Sequence, residues 1–171
     1  MKKLLVYSDG ASKGNPGDAG IGVVIRSTAG DVISETADYI GKTTNNVAEY
    51  KALLRGLEMA SDLRADEVIV RSDSQLLVMQ LCGAYKVKSE HLRPLHAEAC
   101  RLLASFGCCR VEHIPREENR RADELANEGV KRGKNRAVAD LLKSSLNKAA
   151  NSSRESSGSD SSDGGQTTLG L

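Results

Sequence analysis

Two short apolar runs in this chain end in the same dipeptide. Lys3-Leu4-Leu5-Val6-Tyr7-Ser8-Asp9 and Glu67-Val68-Ile69-Val70-Arg71-Ser72-Asp73 each hold aliphatic and β-branched residues over a strand's length and then stop at Ser-Asp. Each reads as a central strand that delivers a carboxylate at its end. Between them lie a hairpin pattern and about 18 residues of helical spacing, enough for a right-handed crossover, so the two strands are expected to be parallel neighbours. Neighbouring strands lie about 5 Å apart, and open α/β sheets bind ligands at the carboxyl ends of their strands. Asp9 and Asp73 could therefore share a cation.

Two further acids fall in the opening turns of predicted helices, Glu49 in 46–63 and Asp123 in 119–132. Helix amino ends favour ionised acids. Helical spacing sets Glu49 on the same face as Ala52, Leu53, Gly56 and Ala60, an apolar, small-residue face where an unpaired charge is costly. Asp123 borders a similar stripe of Ala122, Leu125, Ala126, Gly129 and Val130. Ordinary strand-end caps and helix-start acids would leave such charges without a partner. Metal-dependent phosphodiester chemistry gives them one.

The other predicted elements follow from periodicity and turn residues. Gly10 to Gly17 reads as a flexible hairpin connection, because it lacks the spacing of a nucleotide-binding glycine loop. Strands follow at Gly20–Arg26 and Val32–Ile40, helices at 46–63, 74–82 and 90–106, a strand at Arg110–Ile114 and a helix at 119–132. The order βββαβααβα implies an α/β fold over 1–132 with a five-stranded mixed sheet flanked by helices. Val138, Leu141, Leu142 and Leu146 predict an amphipathic helical extension over 133–150, and 151–171 is a Ser/Gly/Asp-rich stretch expected to be disordered.

Composition excludes several function classes. The chain has 171 residues, enough for one domain with a sizeable core, and the apolar run at its start stops at Ser8-Asp9, too short for a secretory signal. No stretch could span a bilayer, and a cytoplasmic protein is expected. Cys82, Cys100, Cys108 and Cys109 lack zinc-site spacing and read as reduced thiols. With 24 basic and 23 acidic residues, the chain cannot hold nucleic acid by bulk charge, so any contact must be local. Lys86, Lys88, Arg93, Arg116, Arg120 and Arg121 are the basic residues available for it. One Phe, four Tyr and no Trp leave little for stacking on single strands, so a regular duplex read through its backbone suits this composition better.

Four motifs carry a resemblance: Tyr7-Ser-Asp-Gly-Ala-Ser-Lys-Gly-Asn-Pro-Gly17, Thr43-Thr-Asn-Asn-Val-Ala-Glu-Tyr50, Ser72-Asp-Ser-Gln75 and His113-Ile-Pro-Arg-Glu-Glu-Asn-Arg-Arg-Ala-Asp-Glu-Leu-Ala126. From about Leu4 to Val130 the chain resembles the type 1 ribonuclease H family, in its compact reverse-transcriptase-like branch without the basic protrusion. The resemblance implies a ribonuclease H-like fold and an endonuclease that cuts the RNA strand of RNA/DNA hybrids, leaving 5′-phosphate and 3′-hydroxyl ends. It implies two divalent ions per active site, Mg²⁺ or Mn²⁺, with Asp9 bridging both, Glu49 and Asp73 completing one site and Asp123 the other. It sets Asn15, Thr44, Asn45, Asn46 and Gln75 along the substrate groove, where neutral side chains can meet 2′-hydroxyls, the feature that separates RNA from DNA. Taken alone, the Asn45-Asn46 pair reads as a helix cap. Two residues are offered as the aid to product release, His113 and Arg116, whereas His91 and His96 read as helix-surface residues.

A non-catalytic hybrid-binding module and a DNA-acting nuclease of the same superfamily are the competing readings. Four mutually repelling acids argue against a pure binder, and the asparagine set argues for RNA. A monomer is expected. Gln166-Thr-Thr-Leu169-Gly-Leu171 also resembles the short peptide by which bacterial replication and repair proteins dock on the sliding clamp, which names a possible partner through Gln166, Leu169 and Leu171.

Overall fold

The structure is a computed structural model and describes residues 1–155. The tail from 156 onward, with Gln166, Leu169 and Leu171, lies outside the described residues. The chain divides into two units, Met1–Asn135 and Arg136–Leu171.

The first unit opens with an antiparallel meander of β1 (Lys3–Gly14), β2 (Gly17–Ser27) and β3 (Val32–Thr43). Then come α1 (Asn45–Asp62), β4 (Glu67–Ser72), α2 (Gln75–Leu81), α3 (Arg93–Ala104), β5 (Cys108–His113), a 3-10 turn at Arg116–Asn119, and α4, which begins at Arg120. The sheet order is β3-β2-β1-β4-β5, with β1 antiparallel to β2 and parallel to β4. The two Ser-Asp strands are thus parallel neighbours, and the sheet is the expected five-stranded mixed one.

Both faces of the sheet are covered. Val6, Val23, Ile25, Val68 and Val70 meet Tyr50, Leu53, Leu57 and Ala60 of α1, with Leu77 of α2 and Ala99 and Leu103 of α3, in one core. Truncating a side chain such as the fully buried Leu53 to alanine would cost about 2–5 kcal/mol. On the other face Val24 and Ala37 meet Ala122 and Leu125 of α4. Here helix and sheet touch backbone to backbone: a Cβ on Gly20 would strike the Ala126 carbonyl and the Val130 amide, and one on Gly22 the Ala122 carbonyl.

Several element bounds differ from expectation. The glycine stretch after Asp9 is not a flexible loop. β1 and β2 pair as far as Gly14↔Gly17, with Asn15 and Pro16 forming the connection. Pairing with β2 overrides the weak strand propensity of Gly-Ala-Ser-Lys. β3 likewise runs on to Thr43, paired with Gly17. The helix expected at 119–132 starts one residue later, at Arg120. In the second unit the described residues 136–155 are helical, and Val138, Leu141, Leu142 and Leu146 are exposed. Among the described residues no helix is long and apolar enough to cross a membrane.

Candidate active site

The four acids named from sequence line one groove of about 270 Å³. Asp9 lies within β1, not at its end, but the parallel ladder with β4 stops at Tyr7↔Arg71. Two residues on in the same register are Asp9 and Asp73, side by side where that ladder opens. Gly10 then brings in a third acid, because its bare Cα lets β1 abut the α1 backbone at Ala48 and Glu49. Gly22, the β2 partner of Asp9, does the same for the fourth by admitting α4 at Ala122, the residue before Asp123.

Glu49 is the fifth residue of α1, beyond the helix's first turn. Its carboxylate is steadied by side chains rather than by the helix end. Asn45 Nδ2 donates to Oε1 at 3.0 Å and Ser74 Oγ to Oε2 at 2.7 Å. Asp123 does sit in the first turn of α4. Its Oδ1 faces Arg116 Nη2 at 3.6 Å, a loose pairing with an arginine side chain that is 76% exposed.

Burial and crowding govern the electrostatics. Desolvation, followed by repulsion from Asp73 and Asp123, pushes the Asp9 carboxyl up to about 8, and its protonated form shares a hydrogen bond with Asp123. Burial also raises Glu49, against the opposing pull of its bond from Ser74. The cluster is short of positive charge. Among the described residues no three His, Cys, Asp or Glu side chains stand together closely enough to hold a metal ion as they are. The donor set still fits a hard divalent cation: it offers carboxylate oxygens from four residues, with no sulfur and no imidazole. Such an ion would supply the missing charge.

The expected substrate residues divide. Asn45 lines the carboxylate groove, and its backbone N–H donates to Asn15 Oδ1 at 3.3 Å. Asn15, Thr44 and Asn46 line a second hollow of about 530 Å³ with Lys42, Ser89 and His91. Gln75 is exposed at the start of α2, two residues past Asp73. The cap of α1 is neither asparagine but Thr44, whose hydroxyl accepts from the Val47 N–H. His113 Nε2 lies 3.2 Å from the Asp73 carbonyl oxygen, while Arg116 lines the carboxylate groove itself. Arg121 does not serve the site: its Nε and Nη2 donate to Glu35 and its Nη1 to Glu124. His96 is not a surface residue either. It is half-buried edge-on to Tyr50, with Nε2 3.1 Å from the Gln80 carbonyl.

Four residues escaped the sequence reading. Ser74 could have been found, since it caps the predicted helix after Asp73 and also holds Glu49. Lys13 and Asn127 line the groove together, with Lys13 Nζ donating to Asn127 Oδ1 at 2.9 Å and Asn127 Nδ2 to the Asp123 carbonyl at 2.9 Å. Asn119, read as the first residue of a helix, is instead buried and bonded to Asp73.

Residues 7–129 match the family described as reverse transcriptase-like, a span that contains all four acids. The chain belongs to this branch of the type 1 ribonuclease H family. It is 46% identical over 128 residues to the ribonuclease HI of Halobacterium salinarum, covering 75% of this chain and 64% of that protein. It is 41% identical over 139 residues to the bifunctional protein Rv2228c of Mycobacterium tuberculosis, covering 81% and 38%. The chain therefore spans less than two thirds of the length of either curated relative. Among solved structures, LC11-RNase H1 in complex with an RNA/DNA hybrid superposes with a TM-score of 0.72 at 45% identity, covering 76% of this chain and 98% of that one.

Proposed function

We propose that this chain is an endoribonuclease that hydrolyses the RNA strand of RNA/DNA hybrids, leaving 5′-phosphate and 3′-hydroxyl ends. The observation that carries the reading is the convergence of Asp9, Glu49, Asp73 and Asp123 on one groove, with Asp9 raised to about 8 by burial and by its neighbours. A relative at 45% identity binds such a hybrid.

Two Mg²⁺ or Mn²⁺ ions held by these carboxylates would supply the positive charge that activates water and stabilises the transition state at phosphorus. Asp9 would help hold them and would lose its proton as they bind. Glu49 and Asp73 would hold one ion and Asp123 the other. Asn45 and Ser74 fix the direction of the Glu49 carboxylate, so little reorganisation is needed when charge develops. Lys13 and Arg116, the two cations lining this groove, would meet the phosphodiester backbone. Arg116, loosely held and exposed, is the better placed of the two product-release residues, whereas His113 faces a main-chain carbonyl. Asn15, Thr44 and Asn46 in the neighbouring hollow, with Asn45 and the exposed Gln75, would read 2′-hydroxyls and backbone without adding net charge.

The test is cleavage of end-labelled RNA in a hybrid, beside duplex RNA, single-stranded RNA and duplex DNA, with Mg²⁺, Mn²⁺ or EDTA. Metal-dependent cuts in the hybrid alone, lost in Asp73→Asn, are expected. Hybrid binding without cleavage would point to a binding module, and cutting of DNA to a different nuclease. Partnership with a sliding clamp is proposed separately from Gln166, Leu169 and Leu171. Binding of the terminal hexapeptide to a clamp, unchanged by Leu169→Ala, would remove it.

A further inference from the structure

We propose that Asn119 is a positioning residue for the carboxylate centre, holding Asp73 in register with the strand that carries Asp9. It is the last residue of the 3-10 turn and is 2% exposed. Its Nδ2 donates twice, to the Ser8 carbonyl at 3.0 Å and to Asp73 Oδ1 at 2.7 Å. Both partners are acceptors, so the amide has one tenable orientation, with its NH₂ group toward them.

The place of this contact gives it its function. The hydrogen-bonded pairing of β1 with β4 ends at Tyr7↔Arg71. Immediately beyond, where the two strands must still be held together to keep Asp9 beside Asp73, the Asn119 amide bridges them as the missing rung would. It engages Asp73 through Oδ1, while the Asp73 side chain also borders the carboxylate groove. Asp123 follows one helical turn later, so the same residue ties a third acid to the pair.

Burial of this amide is not optimised for stability. Asn119 Oδ1 and Ser8 Oγ are the two buried side-chain polar atoms without a partner among the described residues. Buried polar atoms are normally satisfied, and an apolar side chain of similar size would avoid the deficit. What an apolar residue could not do is hold a carboxylate.

The inference rests on the metal-dependent reading above. Outer residues that orient a metal-binding side chain typically contribute about 10–100-fold to metal affinity or activity. Asn119→Leu keeps the volume and removes both donors. In the full-length chain, Mn²⁺ binding measured by titration calorimetry is expected to weaken about tenfold or more, and kcat on a hybrid to fall about 10–100-fold with little change in KM. Saturating Mn²⁺ should recover part of the turnover. A folded Leu variant with wild-type Mn²⁺ affinity and kcat would overturn the proposal. So would lower stability with unchanged metal affinity, which would make Asn119 a structural staple. If Asn119→Leu does not fold, Asn119→Ser decides by the same calorimetry. Should the wild type bind Mn²⁺ without cutting hybrid, the nuclease reading fails while calorimetry still judges Asn119.

Discussion

Gly10 lies against the peptide that joins Ala48 to Glu49, so closely that a Cβ added to it would overlap the backbone of both residues. Two catalytic candidates on different elements, Asp9 and Glu49, thus approach each other across a contact that only glycine permits. Gly10→Ala must push α1 off the sheet. We expect a loss of about 1–3 kcal/mol in urea unfolding and, because reacting groups are displaced, a fall in hybrid cleavage of about 100-fold even where the protein remains folded. Wild-type cleavage in the folded variant would show that α1 does not need this contact.

Asp9 makes the metal-free protein sensitive to pH. Its folded carboxyl is raised to about 8 against an ordinary value of 3.8, so between those values the folded state holds a proton that the unfolded state has released. Stability therefore falls as pH rises through that window and levels off above it. Asp9→Asn should remove this slope and stabilise the chain at pH 8 in EDTA by on the order of 2 kcal/mol, a value reduced for solvent access to the half-buried cluster. Thermal unfolding of both proteins from pH 5 to 9 checks it; parallel curves would rule the effect out. Metal binding should release a proton and tighten with pH over the same range.

Arg116 should act late in turnover. Its pairing with Asp123 is long and exposed, so its removal costs the fold little. Arg116→Ala is expected to lower steady-state kcat about tenfold while single-turnover cleavage changes much less, the pattern of slowed product release. Equal losses in both assays would assign Arg116 to the cleavage step instead.

Tyr50 provides a contrast, a polar contact that serves the core. Its hydroxyl donates to Gln80 Oε1 at 2.7 Å, with both residues buried. Tyr50→Phe leaves the Gln80 oxygen unsatisfied and should cost about 1–3 kcal/mol in denaturant unfolding without a change in turnover. A drop in kcat at full stability would place Tyr50 in the site after all.

The paired strands, and with them Asp9 and Asp73, were legible because apolar runs of strand length carry their own signal. Glu49 and Asp123 were legible as acids on faces too apolar for free charge. The continuation of β1 to Gly14 was not, because Gly10-Ala-Ser-Lys13 has no strand character until β2 pairs with it. The role of Asn119 was hidden for a different reason: asparagine at the start of a helix normally means a cap, and only the tertiary fold brings Ser8 and Asp73 to it. His96 was misread because helical spacing alone does not reveal that Tyr50 waits opposite.

The contact of α4 with the sheet at Gly20 and Gly22 has a consequence for how such a protein can change over generations. Where helices rest on side chains, sequence drift is absorbed by rotamers, and a helix shifts by fractions of an ångström without losing its place. Here main chain rests on main chain. The height of Asp123 above the sheet is fixed by the thickness of the polypeptide itself. A side chain added at either glycine, or at Gly129 of α4 where it meets the Asp38 backbone of β3, must therefore move the helix, so the support beneath the last carboxylate has no neighbouring solution to drift toward.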